Sequence, residues 1–68
     1  MKAAFNDHVI TTRPVDTETG RVAPPGTHGF VLRVLHDPDE RYMAELYFNE
    51  PPDETELTVL LPLDFEVV

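Results

Sequence analysis

Hydrophobic and polar side chains alternate most regularly along residues 41–48. Alternation with a period of two is the pattern of a β-strand that buries one face and exposes the other. The apolar parity predicts four core residues in this strand: Tyr42, Ala44, Leu46 and Phe48. The opposite parity, with Met43, Glu45 and Tyr47, should then lie on the outside of the protein.

Four other segments have the composition of strands, because β-branched, aliphatic or aromatic residues lie there between clusters of Pro, Gly, Asn and Asp. They are residues 7–12, 29–36, 55–61 and 65–68. Residues 29–36 carry apolar side chains on both parities, so we predict a twist or a bulge that changes the parity facing the core. In residues 55–61, alternation places Leu57, Val59 and Leu61 on one face of the strand. It places Glu56, Thr58 and Leu60 on the other face.

The connections between these segments also follow from composition. Residues 36–41 and 49–55 are rich in residues that favour chain reversal, and they predict two antiparallel hairpins. Residues 61–65 have room for a single 3₁₀ turn, and residues 13–28 form a long first loop. These features predict an all-β fold, a small five-stranded SH3-like barrel with a 3₁₀ turn before the last strand. A chain of 68 residues has room for one domain, residues 1–68.

The long loop ends in the sequence Pro-Pro-Gly-Thr-His-Gly. Pro24 and Pro25 fix φ and remove two backbone donors, so they should stiffen the loop and set the angle at which it enters the next strand. We expect Gly26 and Gly29 to adopt backbone dihedrals that a side chain would forbid. Phe30, directly after the second glycine, is expected in the core together with Phe48 and Phe65.

Several short motifs resemble those of a known family. They are an Asp-x-Val start, a loop that ends in Gly-x-x-Gly, a valine-rich strand, a tyrosine-led strand and a terminal pattern. The matching residues are Asp7, Val9, Gly26, Gly29, Val31, Val34, Tyr42, Ala44, Glu45, Leu46, Leu60, Asp64, Phe65 and Val68. Over residues 7–68 the chain resembles the bacterial domain of unknown function family 4926, whose members are small SH3-like barrels. The departures are Phe30, the double proline, and Phe65 in place of the usual leucine. The resemblance implies an accessory or antitoxin-like partner protein.

Charge is distributed unevenly along the chain. Residues 1–36 contain four basic and three acidic side chains, whereas residues 37–68 contain one basic and ten acidic side chains. An acidic surface repels phosphates, so we expect no direct binding of nucleic acid. It favours a protein partner with a basic surface, although the same excess also keeps a small protein in solution.

The sequence offers little support for chemistry. It contains neither Cys nor Ser, so the usual nucleophiles of acyl transfer are missing. His28 and His36 are separated by roughly 26 Å along a straight strand, too far for a shared metal ion, and we expect the histidines to be surface residues. Two acidic turns, at residues 37–40 and 50–56, lack the calcium-loop pattern, and we expect them to be solvated. We predict a protein that is not an enzyme, with no catalytic, cofactor-binding or metal site.

The function predicted from these observations is a small acidic protein-interaction module. Its candidate partner-binding residues are Asp37, Asp39, Glu40, Met43, Glu45, Tyr47, Glu50, Asp53, Glu54 and Glu56. The alternative is a nucleic-acid mimic, such as a phage inhibitor of a host defence enzyme, which requires carboxylates spaced like phosphates. The chain lacks an apolar run as long as the roughly 18 residues of a spanning helix, so we expect a cytoplasmic protein without a membrane partner.

Overall fold

Seven β-strands and one 3₁₀ helix form the secondary structure in the computed structural model, which describes residues 1–36, 39–48 and 54–68. The strands are β1 (His8–Thr11), β2 (Val15–Asp16), β3 (Val22–Ala23), β4 (His28–Leu35), β5 (Arg41–Phe48), β6 (Glu54–Leu60) and β7 (Phe65–Val67), and the 3₁₀ helix is Pro62–Asp64. The all-β class is confirmed. The predicted 3₁₀ turn before the last strand is confirmed as well.

Five of the strands form one antiparallel sheet with the strand order β6-β5-β4-β1-β7. These are the five strands that the sequence predicts, and the two hairpins β4–β5 and β5–β6 are antiparallel as expected. The long first loop contains a further hairpin, in which β2 pairs with β3. Two-residue strands are too short to give an alternating pattern, which explains why the sequence did not predict them.

The core lies on the inner face of this sheet. Tyr42, Ala44 and Leu46 have no solvent exposure and Phe48 is buried, which confirms the predicted parity of β5. Phe65 of β7 is also fully buried, and its ring contacts the Tyr42 ring edge-on at a centroid distance of 5.1 Å. Aromatic contacts across strands stabilise small sheets beyond the area that they bury.

A β-bulge in β4 confirms the predicted change of parity. Val31 pairs with Ala44 and Arg33 pairs with Met43, so Leu32 is an extra residue on the β4 side. Val31 before the bulge is fully buried, and Val34 after it also packs against the core. The bulge thus lets both halves of β4 contribute an apolar side chain to the same core.

Two buried threonines hold the end of the proline-rich loop. The Thr11 and Thr27 hydroxyls both donate to the Pro24 carbonyl oxygen, at 2.8 and 2.6 Å. The Thr27 backbone N–H donates to the Thr11 hydroxyl at 3.0 Å. Gly26 has a φ of 91°, which confirms the expectation of a left-handed dihedral at this turn.

The expectation for Gly29 is wrong in its physical reason. Gly29 does not have a positive φ, but a Cβ atom at this position would lie 2.5 Å from the Glu45 carbonyl oxygen and 2.7 Å from Leu46 Cδ2. Gly29 pairs with Leu46, so the absence of a side chain allows β4 to approach β5 closely. The constraint is close packing between strands and not backbone strain.

The 3₁₀ helix is held by its own Asp64 and by two basic side chains from the N-terminal part of the chain. The Leu61 backbone N–H donates to Asp64 Oδ2 at 2.8 Å, and the Arg13 guanidinium donates to Asp64 Oδ1 at 2.5 Å. The Lys2 ammonium donates to the carbonyl oxygens of Pro62 and Phe65. These contacts attach the segment before β1 to the 3₁₀ helix and β7. The helices of the described residues include none long and apolar enough to cross a membrane.

We expect the substitution Gly29→Ala to lower the free energy of unfolding by about 1–3 kcal/mol, because one added methyl group overpacks the contact with β5. For a domain of this size, each kcal/mol corresponds to a fall in melting temperature of about 4–8 °C. Thermal melts followed by circular dichroism measure the change. Arg33→Gln, at an exposed position of the same strand, is the control and should stay within about 0.5 kcal/mol of the parent. Equal melting temperatures for Gly29→Ala and the parent would contradict the close-packing argument.

Candidate functional site

Strand β6 faces the core with its more polar side. Glu56, Thr58 and Leu60 are buried, whereas Leu57 and Val59 are 37% and 46% exposed. A strand with one buried face normally turns its aliphatic parity inward. The outward position of Leu57 and Val59 therefore needs a specific interaction that holds Glu56 inside.

That interaction is a set of contacts between Glu56 and the loop that joins β2 to β3. The Thr17 hydroxyl donates to Glu56 Oε1 at 2.6 Å, and the Thr19 hydroxyl donates to the same oxygen. The Arg21 guanidinium lies 3.7 Å from Glu56 Oε2 and also contacts Glu54 at 3.1 Å. Carboxylates are rarely buried unless they are paired and hydrogen-bonded, and Glu56 meets both conditions.

The same contacts change the acidity of Glu56. Hydrogen bonds from the hydroxyls of Thr17 and Thr19 lower the pKa of Glu56 below its ordinary value of 4.5, and the positive charge of Arg21 acts in the same direction. A hydroxyl that donates to a carboxylate stabilises its charged form. Glu56 is therefore held in the ionised state that its partners require.

A hollow of about 380 Å³ lies between the β2–β3 hairpin and the outer side of β5 and β6. Its apolar floor consists of Met43, Leu57 and Val59. Its acidic rim consists of Asp16 and Glu18. The Glu18 backbone N–H donates to the Leu57 carbonyl oxygen at 2.9 Å. The Thr58 hydroxyl donates to the Asp16 carbonyl oxygen at 2.6 Å. These two bonds fix the acidic rim beside the apolar floor.

A row of aromatic and imidazole rings lies on the outer face of the sheet and crosses β1, β4 and β5. The His8 and Phe30 rings stack with a centroid distance of 5.1 Å, and Phe30 contacts Tyr47 edge-on at 5.7 Å. The His28 ring lies 5.0 Å from the His8 ring. Phe30 is half-buried in this row, so its predicted place in the core is wrong. It precedes the bulge, where the parity of Gly29 and Val31 is the buried one.

A second, larger groove of about 560 Å³ borders this row. Pro24, Pro25, His28 and Tyr47 form part of its wall. The Arg21 guanidinium lies 3.9 Å from the centre of the Phe48 ring, and both side chains line the groove. The stiff loop thus ends beside the exposed tyrosine.

The structure separates the candidate partner-binding residues into four groups. Asp37, Glu50 and Asp53 lie outside the described residues. Asp39, Glu54 and Tyr47 are exposed, and Met43 and Glu45 are half-buried on the outer face. Glu40 is half-buried near the N-terminus. Glu56, expected in a solvated turn, is inside the fold because the β2–β3 loop supplies its hydrogen-bond donors.

Glu40 interacts with the buried end of β5. Hydrogen bonding from the Tyr42 hydroxyl lowers the pKa of Glu40, and burial raises the pKa of Tyr42. The Lys2 backbone N–H donates to the Tyr42 oxygen at 2.8 Å, and the N-terminal ammonium lies 3.9 Å from Glu40. Glu40 thus helps to attach the N-terminal segment to the sheet.

Sequence reasoning missed four residues of the hollow: Asp16, Glu18, Leu57 and Val59. Asp16 and Glu18 lie in a loop that was expected to be irregular. The pattern of β6 shows two possible parities and does not decide between them. The two threonines in Thr-Glu-Thr-Gly, a short hairpin sequence with hydroxyl donors, were the available signal for a buried carboxylate partner.

No protein-family model, curated protein or solved structure shows a significant match to the chain. Within residues 1–36, 39–48 and 54–68, no three His, Asp or Glu side chains are grouped so that they could hold a metal ion. The hollow and the row of rings are therefore the features from which a function can be argued.

We expect Glu56→Gln to reduce stability at neutral pH and to weaken the loss of stability in acid. The folded-state pKa of Glu56 is below 4.5, so its stabilising contribution is present above pH 4.5 and is lost as the pH falls through the folded-state pKa. Urea denaturation at pH 7 and at several values below pH 4.5 measures both effects. Glu18→Gln, at an exposed position of the β2–β3 loop, is the matched control and should stay within about 0.5 kcal/mol of the parent at pH 7. An unchanged pH profile for Glu56→Gln would contradict the assignment.

Proposed function

We propose that the protein is a non-enzymatic interaction module that binds a basic protein surface through the hollow between the β2–β3 hairpin and β6. The occupant is a protein segment in which an apolar side chain is flanked by Lys or Arg. The apolar residue would contact Leu57, Val59 and Met43, and the basic residue would lie near Asp16 or Glu18.

The observation that carries this proposal is the exposure of Leu57 and Val59 on β6. These side chains lie on the outer face because Glu56 and Thr58 occupy the inner positions of the same strand. Isolated exposed aliphatic residues are common, but Leu57 and Val59 are contiguous with Met43 and are bordered by carboxylates. An apolar centre with a polar rim is the usual anatomy of a protein interface.

Charge supports a basic partner. Residues 37–68 contain ten acidic side chains and one basic side chain. Asp16 and Glu18 add two carboxylates at the hollow itself. Complementary charge increases the rate of association and discriminates against acidic partners. Association led by exposed charges weakens as the ionic strength rises.

The nucleic-acid mimic has less support from the described residues. A mimic requires carboxylates over a broad face, whereas the outer face of the sheet carries apolar side chains, Phe30 on β4 and Leu57 and Val59 on β6. Such apolar side chains favour a protein surface that buries them. The antitoxin-like role and the cytoplasmic location expected from the sequence stay predictions.

We also propose that the sheet and the β2–β3 hairpin together form an SH3-like barrel of the kind implied by the family resemblance. The hairpin bonds to β6 through Glu18 and Leu57, and the Thr12 backbone N–H donates to the Asp64 carbonyl oxygen at 2.8 Å. These bonds connect the hairpin region to both ends of the open sheet, and they support closure of the core.

Selection of random phage-displayed peptides on the immobilised protein tests the proposal. We expect enrichment of sequences that combine an apolar residue with neighbouring Lys or Arg. Leu57→Thr and Val59→Thr should each weaken binding of an enriched synthetic peptide by about tenfold, which corresponds to about 1.4 kcal/mol. Asp16→Asn combined with Glu18→Gln should weaken binding at low salt and reduce its salt dependence. Isothermal titration calorimetry at two salt concentrations measures these changes.

Leu63→Thr is the matched control, because Leu63 is a 75% exposed aliphatic residue outside the hollow. It should bind the peptide as the parent does. Thermal melts of each variant establish that the fold is retained. Failure to enrich any peptide, or enriched peptides that bind Leu57→Thr and Val59→Thr as tightly as the parent, would exclude the hollow as the binding site.

A further inference from the structure

His8 and His28 bring two ring nitrogens together on the outer face. His8 Nε2 and His28 Nδ1 are 2.8 Å apart, on adjacent strands β1 and β4. His28 and His36 are too far apart along a strand to share a metal ion. Strand pairing instead places His28 beside His8, which is 20 residues away in the chain. Neither ring depends on the hollow described above.

The backbone register fixes this contact. His8 pairs with Phe30 and Ile10 pairs with His28, so the two histidines occupy diagonal positions on the same face of the sheet. The His8 ring stacks on Phe30, which restricts its orientation. His28 is exposed, so its ring can rotate without disturbing the core.

Two neutral imidazoles at this distance can share a metal ion. Metal–nitrogen bonds of about 2.0–2.1 Å at right angles, as in the tetragonal coordination of Cu²⁺ and Ni²⁺, place the two nitrogens about 2.9 Å apart. The observed separation of 2.8 Å is close to that value. In the metal-free pair one ring donates an N–H to the other. Binding requires the donor ring to change to its other tautomer and both rings to turn toward the ion, so that each nitrogen presents a lone pair.

We propose that His8 and His28 form a two-nitrogen binding site for a divalent transition-metal ion that prefers imidazole ligands, with Cu²⁺ bound more tightly than Ni²⁺ or Zn²⁺. This order follows the general affinity series of these ions, and the ligand type excludes Mg²⁺ and Ca²⁺. Because no third His, Asp or Glu is grouped with the pair in the described part of the chain, water completes the coordination.

Titration of the protein with Cu²⁺, Ni²⁺ and Zn²⁺ salts, followed by calorimetry, tests the site. We expect saturable binding of one ion per chain, and no binding of Mg²⁺. His8→Phe keeps a ring on Phe30 but removes the ligating nitrogens, and His28→Ala removes the second ligand. Each should weaken Cu²⁺ binding at least tenfold, because loss of even an outer-shell partner costs 10–100-fold in affinity.

His36→Ala is the matched control, because His36 is exposed and takes no part in the pair. It should bind Cu²⁺ within a factor of two of the parent. Broadening of amide signals by Cu²⁺ in NMR spectra should be strongest around His8, His28 and Phe30, and metal-free spectra of each variant verify the fold. The proposal is overturned if the parent binds none of the three ions. It is also overturned if His8→Phe and His28→Ala bind as the parent does, or if the broadening is centred on the N-terminus or His36.

Discussion

The hydrogen bonds from Thr17 and Thr19 to the Glu56 carboxylate decide which side of β6 faces the core. A slip of one position would bury Leu57 and Val59 and would leave Glu56 without its donors. The β2–β3 loop therefore acts as the partner that makes an unfavourable parity stable. Removal of the Glu56 charge, or of the hydroxyl of Thr17 or Thr19, therefore affects the register of β6 as well as the hydrogen bond that is lost.

Two further constraints position the outer face. The bulge at Leu32 allows β4 to direct His28 and Phe30 outward in one half and still to pack Val34 against the core in the other. The close approach at Gly29 brings β4 against β5, so that the Phe30 ring contacts Tyr47. The hollow, the row of rings and the histidine pair are thus consequences of strand register, which is set by backbone packing more than by the surface residues themselves.

The sequence predicted the elements that depend on local periodicity or on turn chemistry. Alternation along β5 identified Tyr42, Ala44, Leu46 and Phe48 as core residues, and the mixed parity of β4 predicted its bulge. The inward position of Glu56 could not be predicted, because it depends on donors that are 37 and 39 residues away in the chain. The meeting of His8 with His28 and the outward position of Phe30 also arise from pairing between distant strands. Local patterns fix the parities that a strand offers, and long-range contacts select one of them.

The exposed aliphatic residues of β6 have a consequence for the behaviour of the protein in concentrated solution. β6 ends the strand order of the sheet, and although the β2–β3 hairpin bonds to its outer edge at Leu57, the exposed aliphatic side chains of β6 can contact another copy of the chain. At neutral pH the formal net charge of -8 keeps copies apart, but the isoelectric point is about 4.5. This repulsion weakens as the pH falls toward the isoelectric point, and protonation of Glu56 in acid, below its ordinary pKa of 4.5, removes the charge that the two threonine hydroxyls stabilise. Acid thus weakens both the repulsion between copies and the hold on the register of β6, so the protein is suited to storage and transport at neutral or mildly alkaline pH.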